Sequence, residues 1–250
     1  MLSKNKQKFI RQLALKKHRD ASECFVAEGP KVVEELMGVF PCPLILATAE
    51  YLESHKVKAA EIIEVSEREL TATSNLKTPQ QVMAVFQKKS QTECPAPHDA
   101  LILALDGVQD PGNMGTILRL ADWFGIRHVV CSPNTADAFS PKVVQATMGA
   151  LARVQVTYAD LPQWLDALPE DCPVYGTLLN GSDIYAAHLT ARGVIVMGNE
   201  GNGISPDVEQ RLTHRLLIPS YPPGTPTGES LNVATATAIV CAEFRRRMYL

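Results

Sequence analysis

The sequence predicts an α/β protein in two blocks, a small α/β domain over residues 1–90 and a larger domain over 99–250 built on a mainly parallel sheet. Three observations predict it. Short apolar runs of strand length alternate with segments of helical spacing, as in a parallel sheet covered on both faces. The run LILALD (101–106) is apolar without alternation, as a strand buried on both faces requires. Between the blocks lies KKSQTECPAPHD, polar and interrupted by Pro95 and Pro97, which reads as a linker over 91–98.

The elements follow in order. Residues 4–17 are predicted as one helix with Phe9, Ile10 and Leu13 on one side. CFVAEG (24–29) is a short strand ending in a turn. Pro30 suits a first helical turn, and Val32, Val33, Leu36 and Met37 continue at helical spacing. Apolar runs at 43–47, 61–65 and 81–86 complete the first block. In the second, a helix over 113–124 and the strand HVVCS (128–132) follow LILALD. VQVTY, VYGTLL, GVIVMG and HRLLIP are further strands, with helical patterns between most of them. A final helix over 230–248 is rich in Ala, Val and Thr, small side chains that permit close approach.

Composition narrows the class. With 250 residues, 46% hydrophobic and 20% charged, the chain can bury a sizeable core and is not a disordered one. No apolar stretch reaches the length of a membrane span. The basic N-terminus lacks the continuous apolar core and cleavage site of a secretory signal, so a cytoplasmic protein is expected. Cys24, Cys42, Cys94, Cys131, Cys172 and Cys241 are scattered, with no CxxC or Cys/His spacing. They read as reduced thiols, with neither a metal site nor a disulfide framework. A net charge of −3 is no nucleic-acid signature. Residues 1–19, however, carry Lys4, Lys6, Lys8, Arg11, Lys16, Lys17 and Arg19 and no acid. Such a stretch can attract phosphate, or it can be a solvated helix face.

Ligands of open parallel sheets lie beyond the carboxyl ends of the strands. Three loops there carry unusual polar residues. DGVQDPGNMGTILRLADWFG (106–125) leaves a strand and enters a helix, with a turn at Pro111 and Gly112, Asn113 at the entrance and Arg119 six residues on. Asn113 can be an N-cap, and Arg119 can belong to a surface ion pair. VMGNEGNGIS (196–205) is a glycine-rich return whose only charge is Glu200. Its spacing is not GxGxxG, and no phosphate-loop lysine motif occurs, which disfavours a generic nucleotide-binding enzyme. IPSYPPGTPTGESLN (218–232) runs into the last helix, with Ser230 as a credible N-cap and Asn232 in the first turn, where helix donors can hold an anion.

Taken together, PGNMGTILR, GNEGNG and ESLNVA resemble the three motifs of the SpoU (TrmH-like) family of SPOUT methyltransferases, in the same order. DAFSPKVVQATMGAL (137–151) resembles the segment between the family's first two motifs. FVAEGPKVVEEL (25–36) resembles the ribosomal-protein-like substrate-binding domain that precedes the catalytic domain in many members. The resemblance covers nearly the whole chain. It implies a parallel-sheet catalytic domain with a deep trefoil knot, S-adenosylmethionine as cofactor, a homodimer whose active site takes residues from both subunits, and methylation of a ribose 2′-hydroxyl in ribosomal or transfer RNA. It makes Asn113, Arg119, Glu200, Ser230 and Asn232 the catalytic set. Leu178, Gly198, Asn199, Glu200, Gly203, Ile218 and Leu231 would frame the cofactor, and the basic N-terminus with Lys142 would contact RNA. Arg119 would activate the hydroxyl, either as a base or, since a guanidinium stays protonated, by stabilising a forming alkoxide. Glu200 would pair with Arg119 or hold Asn113. One departure is visible: the loop 219–229 is longer and richer in proline than is usual in the family. The competing readings are a non-catalytic RNA-binding protein that keeps the fold and an enzyme that methylates a base nitrogen.

Overall fold

The structure, a computed structural model, describes residues 2–89, 96–97, 99–222, 225, 228 and 230–249. Most of the expected linker, with Cys94, and part of the loop 219–229 lie outside the described residues.

In chain order the first elements are α1 (Lys4–Gln12), α2 (Lys16–Ser22), β1 (Cys24–Glu28), α3 (Pro30–Leu36), β2 (Leu44–Ala47), α4 (Ala49–Ser54), β3 (Glu61–Glu64), α5 (Glu67–Thr73) and β4 (Val82–Gln87). Next come β5 (Leu101–Leu105), α6 (Pro111–Trp123), β6 (His128–Cys131), α7 (Pro141–Thr147), β7 (Gln155–Tyr158) and α8 (Leu161–Asp166). The chain ends with β8 (Val174–Asp183), β9 (Gly193–Met197), α9 (Pro206–Glu209), β10 (His214–Leu217) and α10 (Val233–Arg246).

These elements form two compact units, Met1–Gln91 with Asp137–Ala152, and Thr92–Ala136 with Arg153–Leu250. The first unit holds a four-stranded sheet in the order β1-β4-β2-β3. Ile10 and Leu13 pack on one face with Val26, Leu46, Met83 and Val85. The segment 137–152, which the sequence placed inside the second block, belongs to this unit. Its apolar residues have their partners here: the Phe139 ring lies 4.9 Å from Phe25 of β1, and α7 packs along β1. β1 is an edge strand, and covering it protects backbone groups that could otherwise pair with another chain.

The single helix expected over 4–17 is two helices. The chain turns extended at Leu15 (φ −97°, ψ 130°). The carbonyls freed by this break are satisfied by Arg19, which donates to Leu13 O at 2.7 Å and Ala14 O at 2.8 Å. Arg19 also forms an ion pair with Asp137 at 2.6 Å, and it is only 2% exposed. The expectation that Arg19 faces RNA is therefore corrected: its guanidinium is spent on protein groups. A sequence count of cations cannot separate a solvated lysine from a buried arginine that terminates a helix.

The second unit holds six strands in the order β10-β8-β9-β5-β6-β7, with every pairing parallel. β5 and β9 are buried along their whole length, as their unbroken apolar runs require. From β5 the chain proceeds to β6 on one side, and from β9 to β10 beyond β8 on the other. The order therefore reverses between β5 and β9, and a crevice opens at their carboxyl ends. On β8, residues 177–181 bulge out between the pairs Gly176↔Arg215 and Ser182↔Leu216. Gly181 makes this return possible, since a Cβ there would stand 2.5 Å from the Leu216 carbonyl carbon. α10 packs on α6, and Arg245 near its end donates to Phe124 O, just past the end of α6, at 2.7 Å.

Arg19→Ala would leave Asp137 and two carbonyls without their cation. A loss of about 3–5 kcal/mol is expected, read as a lower urea midpoint for the first unit. An unchanged midpoint would show that solvent replaces the guanidinium without cost.

Candidate active site

Beyond β5 the chain reaches α6 through Asp106, Gly107, Val108, Gln109 and Asp110. Asp110, not Asn113, is the N-cap of α6, accepting the Asn113 N–H at 2.8 Å, and Pro111 and Gly112 form the first helical turn rather than a separate one. Asn113, three residues in, keeps its amide free for other loops. The pair Asp110–Pro111 carried this signal in the sequence, because proline is favoured at the first helical position behind a capping side chain.

Beyond β9 a tight turn closes on itself, with Asn199 N–H to Gly203 O at 2.8 Å and Gly203 N–H to Asn199 O at 3.0 Å. Gly198 admits the close approach, since a Cβ there would meet the Gly203 carbonyl carbon at 2.3 Å. Asn199 binds both ways. Its Oδ1 accepts from Gly201 and Asn202, and its Nδ2 donates to Gly107 O at 2.6 Å. Asp106 accepts from Ser205 N–H at 2.7 Å. Ser132 and Thr135 both accept from Gly107 N–H. Asp106, Ser132 and Thr135 were not singled out in the sequence; each is a common residue recognisable as structural only once the loops are adjacent.

The turn presents Glu200, whose carboxylate accepts from the backbone N–H of Gln109 and of Asp110, each at 3.2 Å, and from Asn113 Nδ2 at 3.1 Å. Burial alone would raise its pKa. The hydrogen bond from Asn113 and the backbone donors outweigh burial and hold the group below the usual carboxylate value. Glu200 therefore pairs with Asn113 and not with Arg119.

Asn232 is the N-cap of α10, correcting the assignment of that role to Ser230, which is exposed beside it. Its Oδ1 accepts from Ala234 N–H at 3.0 Å and Thr235 N–H at 3.1 Å. Those two donors are thus not left for an anion. Its Nδ2 donates to Asn113 Oδ1 at 2.9 Å. The structure therefore joins Glu200, Asn113 and Asn232 from three loops into one chain of bonds. Arg119 is outside it. Six residues along a helix move it about 9 Å and about 120° around the axis from Asn113. It is exposed, and no hydrogen bond or ion pair engages it among the described residues.

Of the other residues expected at the site, Leu178 in the β8 bulge and Ile218 after β10 are half-buried, and Leu231 is 51% exposed. Among the described residues of the loops 177–181, 198–204, 218–222 and 228–232 there is no lysine or arginine, and Glu200 is the only acid. No group of His, Cys, Asp and Glu suited to a metal ion, and no helix long and apolar enough to cross a membrane, occurs among the described residues. Of the N-terminal cations, Lys4, Lys8, Arg11, Lys16 and Lys17 are exposed, as is Lys142 on α7, while Lys6 pairs with Glu61.

Two substitutions separate the cap from the relay. Asn232→Asp keeps an oxygen for the α10 donors and removes the donor to Asn113; near-normal stability with lost activity is expected. Asn232→Ala removes both and should cost about 1 kcal/mol besides. Equal thermal losses in the two would show that the amide link to Asn113 holds the fold. The network needs ionised Glu200. Because its pKa is lowered, that contribution is complete above the ordinary value of 4.5 and is lost only as pH falls below it. In a pH titration following the Asn113 side-chain amide by NMR, a midpoint above 4.5 would contradict this arrangement.

Comparison with known proteins gives the family. Residues 100–242 match the SpoU rRNA Methylase family, and residues 4–84 match the MRM3-like substrate binding domain. The chain is 32% identical over 250 residues to the 23S rRNA (guanosine(2553)-2′-O)-methyltransferase RlmP of Bacillus subtilis, covering 96% of each. A solved structure from Porphyromonas gingivalis, assigned to the TrmH family of RNA methyltransferases, superposes with a TM-score of 0.90 at 46% identity over 99% of both chains. The AdoMet-bound rRNA methyltransferase of Sinorhizobium meliloti superposes with a TM-score of 0.86 at 29% identity, over 99% of this chain and 97% of that one. With its family match covering more than half of its length and its three motif loops bonded together, this chain belongs to the SpoU rRNA methylase family.

Proposed function

We propose that this chain is an RNA methyltransferase that moves a methyl group from S-adenosylmethionine to a ribose 2′-hydroxyl of ribosomal RNA. The observation that carries the reading is the bonded series Glu200–Asn113–Asn232 at the crevice between β5 and β9. A protein that only bound RNA would have no need to hold these side chains in one arrangement, and relatives named as 2′-O-methyltransferases favour ribose over a base nitrogen.

The lining suits the cofactor. Apolar side chains of Leu178, Ile218 and Leu231 can flank an adenine, and the backbone of Gly198, Asn199 and Gly203 can meet its polar edges. The lack of lysine and arginine among the described loop residues accommodates a positive sulfonium beside Glu200. When bound, the cofactor supplies an electrophilic methyl group. The chain's own residues orient the nucleophile. The Asn113 and Asn232 amides are fixed by their bonds and stand where a ribose would lie, and Ser230 offers an adjacent hydroxyl. Glu200 positions Asn113, and three N–H donors occupy its oxygens. Holding the hydroxyl in line with the methyl supplies several kcal/mol of rate advantage.

Arg119 completes the site from a second copy of the chain. It is exposed and unengaged among the described residues, and points well away from Asn113 on its own helix. Its permanent charge suits binding the RNA phosphate and stabilising the oxygen as the proton leaves. The chain is accordingly a homodimer, with α10 contributing its small exposed residues to the interface. The second unit carries the family's trefoil knot in its C-terminal loops. Residues 1–90 bind RNA, 91–98 link the units, 99–250 carry out the transfer, and the protein works in the cytoplasm. The exposed cations Lys4, Lys8, Arg11, Lys16, Lys17 and Lys142 supply sequence-independent attraction to the RNA backbone, and Lys6 adds to it despite its pairing with Glu61.

Mapping 2′-O-methyl positions in ribosomal RNA with and without the protein tests the reading; identical maps would remove it. Arg119→Ala should keep cofactor affinity by calorimetry and lose methyl transfer by about 100-fold or more. Co-expressing the Arg119→Ala and Asn232→Asp chains should restore about a quarter of wild-type activity, because half the dimers then hold one intact site. No recovery in the mixture would place all of these residues in one subunit's site.

A further inference from the structure

The break between α1 and α2 divides the basic N-terminus into two groups. Lys6 on α1 pairs with Glu61 of β3, and the Leu2 N–H donates to Glu69 of α5, so the start of α1 lies toward the β3 side of the first unit. α2 leads directly into β1, at the opposite edge of the sheet. At this second edge further cations gather that the N-terminal stretch does not contain. β1 and β4 run antiparallel with Cys24 opposite Gln87, so Lys88 and Lys89 leave β4 where α2 delivers the chain to β1. Lys88 N–H donates to Glu23 O, and Lys88 Nζ lies 2.9 Å from Asp20.

Both lysines rest on the aromatic cluster beneath this corner. Lys88 Nζ is 5.4 Å from the centre of Phe139, and Lys89 Nζ is 5.3 Å from that of Phe40. The two rings are 6.5 Å apart and both pack on Phe25. Such contacts hold an ammonium in place while leaving it able to bind an anion. Lys142 follows Phe139 by three residues, at the exposed start of α7, which covers β1. Asp20 and Glu23 are the acids of the corner, and Asp137 is neutralised by Arg19.

We propose that Lys16, Lys17, Lys88, Lys89 and Lys142 form one docking surface for the phosphate backbone of RNA. Five lysines against two exposed acids complement a polyanion, and their sources in the chain are three separate segments. One of these, α7, comes from within residues that match the methylase family. The surface deepens the function proposed above and rests on it. Phosphate contacts of this kind fix orientation without reading bases, which suits a unit that presents RNA to a separate catalytic centre.

The test uses the full-length protein and a transcript of 23S ribosomal RNA, with affinity measured across salt concentrations. The double variant Lys89→Gln/Lys142→Gln removes two exposed lysines from the corner. The double variant Lys56→Gln/Lys58→Gln removes two exposed lysines between α4 and β3, on the other side of the sheet. The first should weaken binding about tenfold at moderate salt and lower the slope of log affinity against log salt by about 1.5. The second should change neither, and cofactor affinity and urea midpoint should stay unaltered in both. Equal losses in the two variants, or none in the first, would overturn the surface while leaving the methyltransferase reading intact. A wild-type protein that binds cofactor but neither holds nor methylates the transcript would instead defeat the reading on which the surface rests.

Discussion

The arrangement of the site depends on which way one amide points. Asn232 caps α10, and only its oxygen can accept the N–H groups of Ala234 and Thr235. Its nitrogen must then face away and donate, and Asn113 must answer with its own oxygen. That leaves the Asn113 nitrogen to donate toward an acceptor, and Glu200 supplies a carboxylate already turned that way by two backbone donors. Either amide reversed would bring donor against donor. The start of a helix thus sets the polarity of every bond out to the glycine turn beyond β9.

The same logic reaches the far ends of the two helices. α6 and α10 begin together at Asn113 and Asn232, and they end together where Arg245 donates to Phe124 O. They run parallel and are tied at both ends. A single hydrogen bond between exposed amides contributes only about 0.5–1.5 kcal/mol. With both helices packed and their ends fastened, that modest energy need only choose a rotamer, not hold elements together. The site can therefore be open to a large substrate and still be ordered.

Much of this was legible in the sequence. The unbroken apolar runs of β5 and β9 announced buried parallel strands, and Asn113, Glu200 and Asn232 came together as a set through the resemblance of their three segments to the SpoU motifs. What could not be read was how each asparagine divides its two ends. Asn113 and Ser230 looked like caps because both precede helical patterns, and Asp110 and Asn232 hold those roles because each stands where its chain leaves extended geometry. Position 19 failed for a related reason. An arginine in a basic run looks solvated until an aspartate 118 residues away is folded against it. The placement of α7 followed the same pattern, since its apolar face matches any apolar partner and only the uncovered edge of β1 selects one.

Electrostatics then separates the two tasks of the molecule. A sulfonium and a polyphosphate chain ask for opposite surroundings, and mixing those surroundings would weaken both. Among the described residues of the loops 106–110, 177–181, 198–204, 218–222 and 228–232 there are three carboxylates, Asp106, Asp110 and Glu200, and no lysine or arginine, whereas exposed lysines concentrate on the first unit. Within the screening length of about 8–10 Å at moderate salt, a lysine beside the cofactor would repel the sulfonium. Exposed lysines such as those of the first unit suit phosphate instead, so the two demands fall on different parts of the chain. Arg119 stands apart from both surroundings: exposed on α6 and engaged by no hydrogen bond or ion pair among the described residues, it carries a permanent positive charge that no described protein group neutralises.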